Sequence, residues 1–280
     1  MKTLALDIGG TKFSAALFEG ERMIARESRA TDREGGREWM IPRLHEIANG
    51  WRGFDRCAIG FGGPVNFECQ EIVLSTHVGG WQGFDLCGFI RSEFRVPVIM
   101  DNDANVGGLG EAFFGGGKGY DPLFYMTLST GIGGGIITRG AVYRGADSYA
   151  GEIGHLTIRP DGPDCLCGAR GCFERMCCGL WLEHDYGRTA EGLLRDPGFV
   201  SKYVVDLALG LKAAIMILNP ARIIIGGGMS KAGDALFGPL RSELRKQITN
   251  WSRARIDVVP AALADDSVLY GALALAKELP

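Results

Sequence analysis

The 280 residues carry 30 Lys and Arg against 33 Asp and Glu, a net charge of −3, and 46% of them are hydrophobic. That balance describes an ordered globular chain long enough for two cores, and it excludes the basic surface a nucleic-acid partner needs. The opening apolar run is broken by Asp7 before it reaches the length of a signal-peptide core, and no apolar stretch approaches a membrane span. A cytoplasmic protein with neither membrane nor nucleic acid as partner is expected, and its 8 cysteines read as ligands or buried thiols rather than disulfides.

Residues 3–6 read as a strand, residues 7–12 (Asp-Ile-Gly-Gly-Thr-Lys) as a glycine turn and residues 13–18 as a second strand. In the dinucleotide fingerprint and the Walker loop the glycines lead into a helix, so neither pattern is present. Gly9 and Gly10 can turn consecutive N–H groups toward a phosphate, Thr11 and Lys12 add a hydroxyl and a cation, and Asp7 can hold Mg²⁺ through water. A plain tight turn explains the same residues.

Apolar residues at helical spacing predict a helix within 32–49, and a strand at 57–61 delivers the loop Gly62-Gly63-Pro64. An irregular stretch, 75–81, ends in Trp81, whose ordinary fate is core filler. A strand at 96–100 then runs into Asp101-Asn102-Asp103-Ala104-Asn105, ahead of a helix starting at 106. An Asp there is placed to act as a general base, with Asn102 and Asn105 orienting a substrate hydroxyl. An Asx cap needs one such residue and here there are four, which favours function over a cap alone.

Residues 115–119 read as a linker between lobes. The opening theme then returns: a strand at 123–128, a glycine turn at 129–135 containing Thr130, Gly131 and Gly133, and a strand at 136–138. This is an internal repeat, and two facing glycine turns would form jaws around a polyphosphate.

Within 151–174, GEIGHLTIRPDGPDCLCGARGCFE, lie His155, Cys165, Cys167 and Cys172, flanked by Glu152 and Glu174. Three thiols and one imidazole complete a tetrahedral zinc shell with no open position, so a structural Zn²⁺ clip is expected, fixing where Glu152, Glu174 and the far side of His155 point. Cys177 and Cys178 fall on a helical stretch that carries them away. An amphipathic helix at 203–218 stops at Asn219-Pro220, and the strand 223–225 ends in Gly226-Gly227-Gly228, where backbone can approach a flat group such as adenine. A helix at 236–248, a strand at 256–259 and a terminal helix at 269–279 follow, the last able to fold back onto the first lobe.

The glycine turns, the Asn-Asp-Ala-Asn strand end and the GEIGH…C-x-C…GC-x-E loop together resemble the ROK family of sugar kinases from residue 4 onward. The resemblance implies an α/β, two-lobed actin-like or hexokinase-like (ribonuclease H-like) ATPase fold. A smaller lobe, 1–114, would be joined by the terminal helix 267–280, and a larger lobe, 115–266, would carry the zinc loop. It implies Asp103 as the base toward a hexose 6-hydroxyl, with Asn102, Glu152, His155, Glu174 and nearby Gly63 around the sugar. Asp7, Gly9, Gly10, Thr11 and Lys12 match the first phosphate motif, Thr130, Gly131 and Gly133 the second, and Gly226 and Gly227 the adenosine loop. His155, Cys165, Cys167 and Cys172 match the structural zinc. The expected activity is Mg²⁺- and ATP-dependent phosphorylation of glucose, N-acetylmannosamine or N-acetylglucosamine by a homodimer. Inorganic polyphosphate as donor, or a non-enzymatic sugar sensor on the same fold, are the alternatives. Two departures stand out: His77 replaces a family Asn four residues before Trp81, and residues 175–200 are short. The family's repressors carry an N-terminal DNA-binding domain, for which a first phosphate motif at residue 7 leaves no room.

Overall fold

A computed structural model describes residues 1–75, 78–249 and 252–279. In chain order the elements are β1 (Lys2–Ile8), β2 (Lys12–Glu19), β3 (Arg22–Ala30), α1 (Gly36–Gly50), β4 (Arg56–Phe61), the short pair β5 (Val65–Asn66) and β6 (Glu71–Ile72), α2 (Leu86–Phe94), β7 (Val98–Asn102) and α3 (Asp103–Phe114). Then come β8 (Leu123–Leu128), β9 (Ile132–Thr138), β10 (Ala141–Val142), α4 (Phe173–Cys177), α5 (Gly179–Tyr186), α6 (Ala190–Leu194), α7 (Pro197–Leu218), β11 (Arg222–Gly226), α8 (Asp234–Gln247), β12 (Val258–Pro260) and α9 (Ser267–Leu275).

The internal repeat is visible in the topology. One sheet has the order β3-β2-β1-β4-β7 and the other β10-β9-β8-β11-β12, each an antiparallel hairpin extended by parallel strands. Alternation along each strand divides its residues between two layers. Leu4, Leu6 and Ile8 pack with α1 and α2, whereas Ala5, Ala16 and Ala58 face α3 and α9. In the second sheet Leu123 and Tyr125 face that same central pair of helices, while Phe124, Met126 and Leu128 pack with α7 and α8. The molecule is thus helix, sheet, helix pair, sheet, helix, and α3 and α9 are shared by both sheets.

Small residues let the central pair come close. A Cβ on Gly110 would overlap the Ser267 carbonyl oxygen, and one on Gly271 would overlap that of Val106, so the two helices cross with backbones touching. At the C-terminal end of α3, Glu111 is 0% exposed, and its carboxylate accepts hydrogen bonds from Gly116 N (2.9 Å), Ala262 N (3.1 Å), Leu263 N (2.9 Å) and Ser267 Oγ (2.8 Å). One buried charge therefore satisfies both segments by which the chain passes between the sheets.

Several expectations needed correction. Strand β3 was missed because RMIARESRA is polar and half-exposed, with no apolar alternation to read. The second glycine turn is shorter than expected: Gly133, Gly134 and Gly135 lie inside β9. Their missing side chains admit neighbours, since a Cβ on Gly133 would lie 3.2 Å from Ala104 Cβ, one on Gly134 2.6 Å from Gly151 O, and one on Gly135 would overlap Ala104 O. The start of α3 and the start of the cysteine loop are pressed against opposite faces of one strand.

Candidate active site

Strand register brings the first group of residues together. Ile8 pairs with Phe61 and Phe61 with Asn102, so residues 9–10, 62–63 and 103 leave the sheet side by side at the carboxyl ends of three parallel strands. Asn102 caps α3: its Oδ1 accepts from Ala104 N (2.9 Å) and Asn105 N (3.3 Å), and its Nδ2 donates to Gly63 O (3.1 Å). One amide hydrogen remains for a ligand, so Asn102 serves as a cap as well. Asn105, expected to orient substrate, is buried and donates from Nδ2 to Asp101 Oδ1 (3.0 Å), which makes it internal support.

Asp101 carries more than its sequence position suggested. It is 0% exposed, accepts from Asn102 N (2.7 Å), and receives Arg144 Nε at 2.8 Å. Arg144 comes from just beyond β10 of the other sheet and lies over the Phe67 ring at 3.4 Å. A charge buried this way needs its partner, and the pair fixes the backbone that ends in Asp103.

The half-buried Asp103 lies beside the Gly62–Gly63 turn, its Oδ2 3.6 Å from where a Cβ on Gly62 would stand. Burial pushes its carboxyl up to about 7; the Ala104 N–H opposes this and the charge of Glu152 adds to it. Asp7 is likewise raised to about 7 by burial and then by Asp103, with Lys12 acting in the opposite direction. Two crowded carboxyls with hard oxygen donors make a place where a divalent cation relieves repulsion, so Mg²⁺ fits Asp7.

The two glycine turns meet. Thr11 Oγ1 and Thr130 Oγ1 are 2.7 Å apart. In the first turn every carbonyl is spent: Gly9 O accepts Thr31 Oγ1 (2.9 Å), Gly10 O accepts Arg33 Nε (2.8 Å) and Thr11 O accepts Thr31 N (2.9 Å). The second turn is built alike, with Ser129 O taking Gly179 N (2.7 Å), Thr130 O taking Leu180 N (3.3 Å) and Gly131 O taking Ser129 N (3.0 Å). The N–H groups of Gly10, Thr11, Thr130 and Gly131 have no acceptor among the described residues. Outward N–H groups with satisfied carbonyls behind them form an anion nest.

These turns open on a cleft of about 700 Å³ lined by Thr11, Arg33, Thr130, Gly228, Met229 and Lys231 among others. Gly226 and Gly227 are not in its lining. A Cβ on Gly226 would collide with Tyr125 Oη, and Gly227 has φ +86° with Leu128 O 2.5 Å from a Cβ, so both shape the loop that presents Gly228. Lys12, expected to add a cation toward a phosphate, sits 3.2 Å from Asp265, which Lys231 also holds at 2.9 Å.

On the far side of Asp103, the side-chain donors of His155, Cys165, Cys167 and Cys172 all lie within 4.8 Å of one another, and the sulfurs of Cys167 and Cys172 are 3.6 Å apart. Tetrahedral thiolate zinc puts sulfurs about 3.8 Å apart for Zn–S bonds of about 2.3 Å, so the donor set fits Zn²⁺. Cys177 and Cys178 are buried on and after α4, outside this group. Glu152 is raised by burial, lowered by His155 and raised by Glu174, which records the three as neighbours. Glu174 accepts Ile132 N at 2.8 Å and so ties the cysteine loop to the start of β9.

Residues 3–279 match the ROK family. The chain belongs to the ROK family. It is 32% identical to a glucokinase of Thermotoga maritima, covering 99% of this chain and 98% of that protein. Among solved structures it resembles a ROK hexokinase from Thermus thermophilus (31% identity, TM-score 0.83, 98% of this chain and 97% of that one). A ROK family glucokinase from Streptomyces griseus, in complex with glucose and AMPPNP, matches at 27% identity and TM-score 0.84 over 99% and 100% of the two chains. This ROK chain is a sugar kinase, and its fold is the hexokinase-like one expected.

Within the ROK chain, Asp7, Gly9, Gly10, Thr11, Gly63, Asn102 and Asp103 converge at the first sheet's strand ends, and Thr130 and Gly131 face them. His77 lies outside the described residues. Trp81 is core, 1% exposed and edge-on to Phe61 at 5.4 Å. Arg33, Asp101 with Arg144, and Glu111 went unread as site or support, because a lone charged residue in a polar stretch or helix carries no pattern. The dense Asp-Asn cluster did hint at Asp101.

Proposed function

We propose that this ROK kinase transfers the terminal phosphoryl group of MgATP to the 6-hydroxyl of a hexose, glucose first among the candidates and N-acetylated hexosamines next. The observation that carries the reading is the Asp103 carboxyl at the carboxyl end of β7, in the same strand-end cluster as the first of two facing turns whose free N–H groups suit a phosphate chain. Glucokinase relatives over the full length, one of them solved with glucose and AMPPNP, support glucose and ATP.

In this reading the polyphosphate lies across the Gly10–Thr11 and Thr130–Gly131 nests, and the nucleoside rests against Gly228 and Met229. Mg²⁺, held through water by Asp7, would neutralise phosphate charge when bound. Glu152, His155, Glu174 and the remaining Asn102 N–H hold sugar hydroxyls, with Gly63, whose carbonyl takes the other Asn102 N–H, beside them. Asp103 takes the 6-hydroxyl proton as the oxygen attacks phosphorus. Phosphoryl transfer asks the protein mainly for alignment, charge neutralisation and one base, which is this inventory. His155, Cys165, Cys167 and Cys172 would hold a structural zinc that fixes the sugar side.

The test is hexose-dependent ADP formation with MgATP across glucose, mannose, N-acetylglucosamine and N-acetylmannosamine, with Asp103→Asn in parallel. The expected result is one preferred sugar, with turnover reduced about 10²- to 10⁴-fold in the variant while sugar binding persists. Near-parental turnover by Asp103→Asn would remove Asp103 from its role. Turnover with inorganic polyphosphate alone would reassign the donor.

A further inference from the structure

The cations around the cleft are not equivalent. Lys12 and Lys231 share Asp265, and Arg195 is paired with Glu191. Partial burial works against ionisation of Asp265, yet Lys231 and Lys12 hold its carboxyl below the usual range, so this triad is a satisfied group. Arg33 lines the same cleft and makes no ion pair among the described residues. Its guanidinium is held by neutral acceptors: Nε donates to Gly10 O at 2.8 Å and Nη2 to Thr11 Oγ1 at 3.2 Å. Thr31 lashes the preceding backbone to Gly9 O and Thr11 O, and Asp32 Oδ1 accepts Glu34 N and Gly35 N at 3.1 Å, which fixes the bend that follows. A guanidinium has five N–H donors. Two are spent on orientation, and the others remain beside the Gly10 and Thr11 N–H groups and the Thr11–Thr130 contact.

We propose that Arg33 is the cation the first turn presents to the phosphate chain of the bound nucleotide, the part the sequence assigned to Lys12. The proposal rests on the kinase reading. Its chemistry is that of an oriented fork, whose planar donors match phosphate oxygens better than a tethered ammonium does. Its place also parallels the second turn, where the first N–H groups of α5 take the turn carbonyls that Arg33 and Thr31 take in the first.

The experiment is calorimetric titration of MgADP into the parent, Arg33→Ala, Arg33→Lys and Lys12→Ala proteins, each checked by thermal melting. Arg33→Ala should weaken MgADP about ten- to hundredfold, the range for a charged hydrogen bond. Arg33→Lys should recover part of this, and Lys12→Ala should lose less than Arg33→Ala. Arg33 is exposed, so folding should survive; should Arg33→Ala fail to fold, Arg33→Lys carries the same comparison with the parent. Binding by Arg33→Ala within about twofold of the parent, or a larger loss in Lys12→Ala, overturns the assignment. The titration needs neither sugar nor turnover. A parent that binds MgADP yet phosphorylates no hexose sinks the kinase reading and leaves the Arg33 comparison decisive, while a parent that binds no nucleotide overturns both.

Discussion

Asp7 and Asp103 stand together at the carboxyl ends of the first sheet's parallel strands, with carboxyls raised from the ordinary 3.8 to about 7. For Asp103 as base, kcat/KM should rise with pH through about 7 and level above it, because the free enzyme must lose that proton before it can accept another. A flat profile from pH 6 to 8 would deny it this role. The same shift acts on stability. Folding raises each pKa, so the folded chain holds the proton more tightly, and the stability this contributes is present below about pH 4 and lost as pH rises through about 7. Asp7→Asn, without nucleotide or Mg²⁺, should therefore melt above the parent at pH 8, with the difference narrowing toward pH 5. A constant difference across that window would mean the gain has another source. The placement of Asp103, Thr11 and Thr130 at strand ends was legible because their residue types cluster with glycines and amides there. Asn105 was misread because an inward and an outward Asn look identical in a sequence, and the buried Asp101 that claims it is known only from the fold.

At the scale of elements, the cysteine loop and β9 act together: Glu174 bonds to Ile132 N, and Gly151 presses on Gly134. Chelation of the expected zinc, or Cys172→Ser, should leave the sheets folded by far-ultraviolet circular dichroism. Sugar affinity should fall well over tenfold, since bound metal supplies the order of the loop, while MgADP binding changes little. Full sugar affinity in protein with negligible zinc would break the link between clip and site. The convergence of His155, Cys165, Cys167 and Cys172 was readable from spacing, because tetrahedral ligation constrains residue type and separation. The glycines of β9 were read as a phosphate turn, yet Gly133, Gly134 and Gly135 make room for neighbours distant in sequence. Strand β3 escaped notice for a related reason, since an edge strand facing water needs no apolar face.

For the whole molecule, the decisive contact is Glu111, which fastens Gly116 on one crossing and Ala262, Leu263 and Ser267 on the other. Glu111→Gln keeps the shape but turns a donor toward donors, so stability should fall by about 3 kcal/mol, measured from denaturant midpoints at unchanged m-value. A change below about 0.5 kcal/mol, the level of an ordinary surface substitution, would show that the crossings hold without it. The paired sheets could be foreseen from the repeated glycine turns. The shared helices could not, since Gly110 and Gly271 look like helix-weakening residues until each is seen against the other's backbone. That shared layer makes the molecule a clasp. Helix α3, from the early part of the chain, lies against Leu123, Tyr125 and Ile137 of the later sheet, while α9, from the chain's end, lies against Ala5 and Ala58 of the earlier one. A chain severed between the two sheets, in the turn around Gly119, would yield two pieces that each own part of the other's interior, so a nicked molecule stays whole and neither fragment has a finished surface of its own.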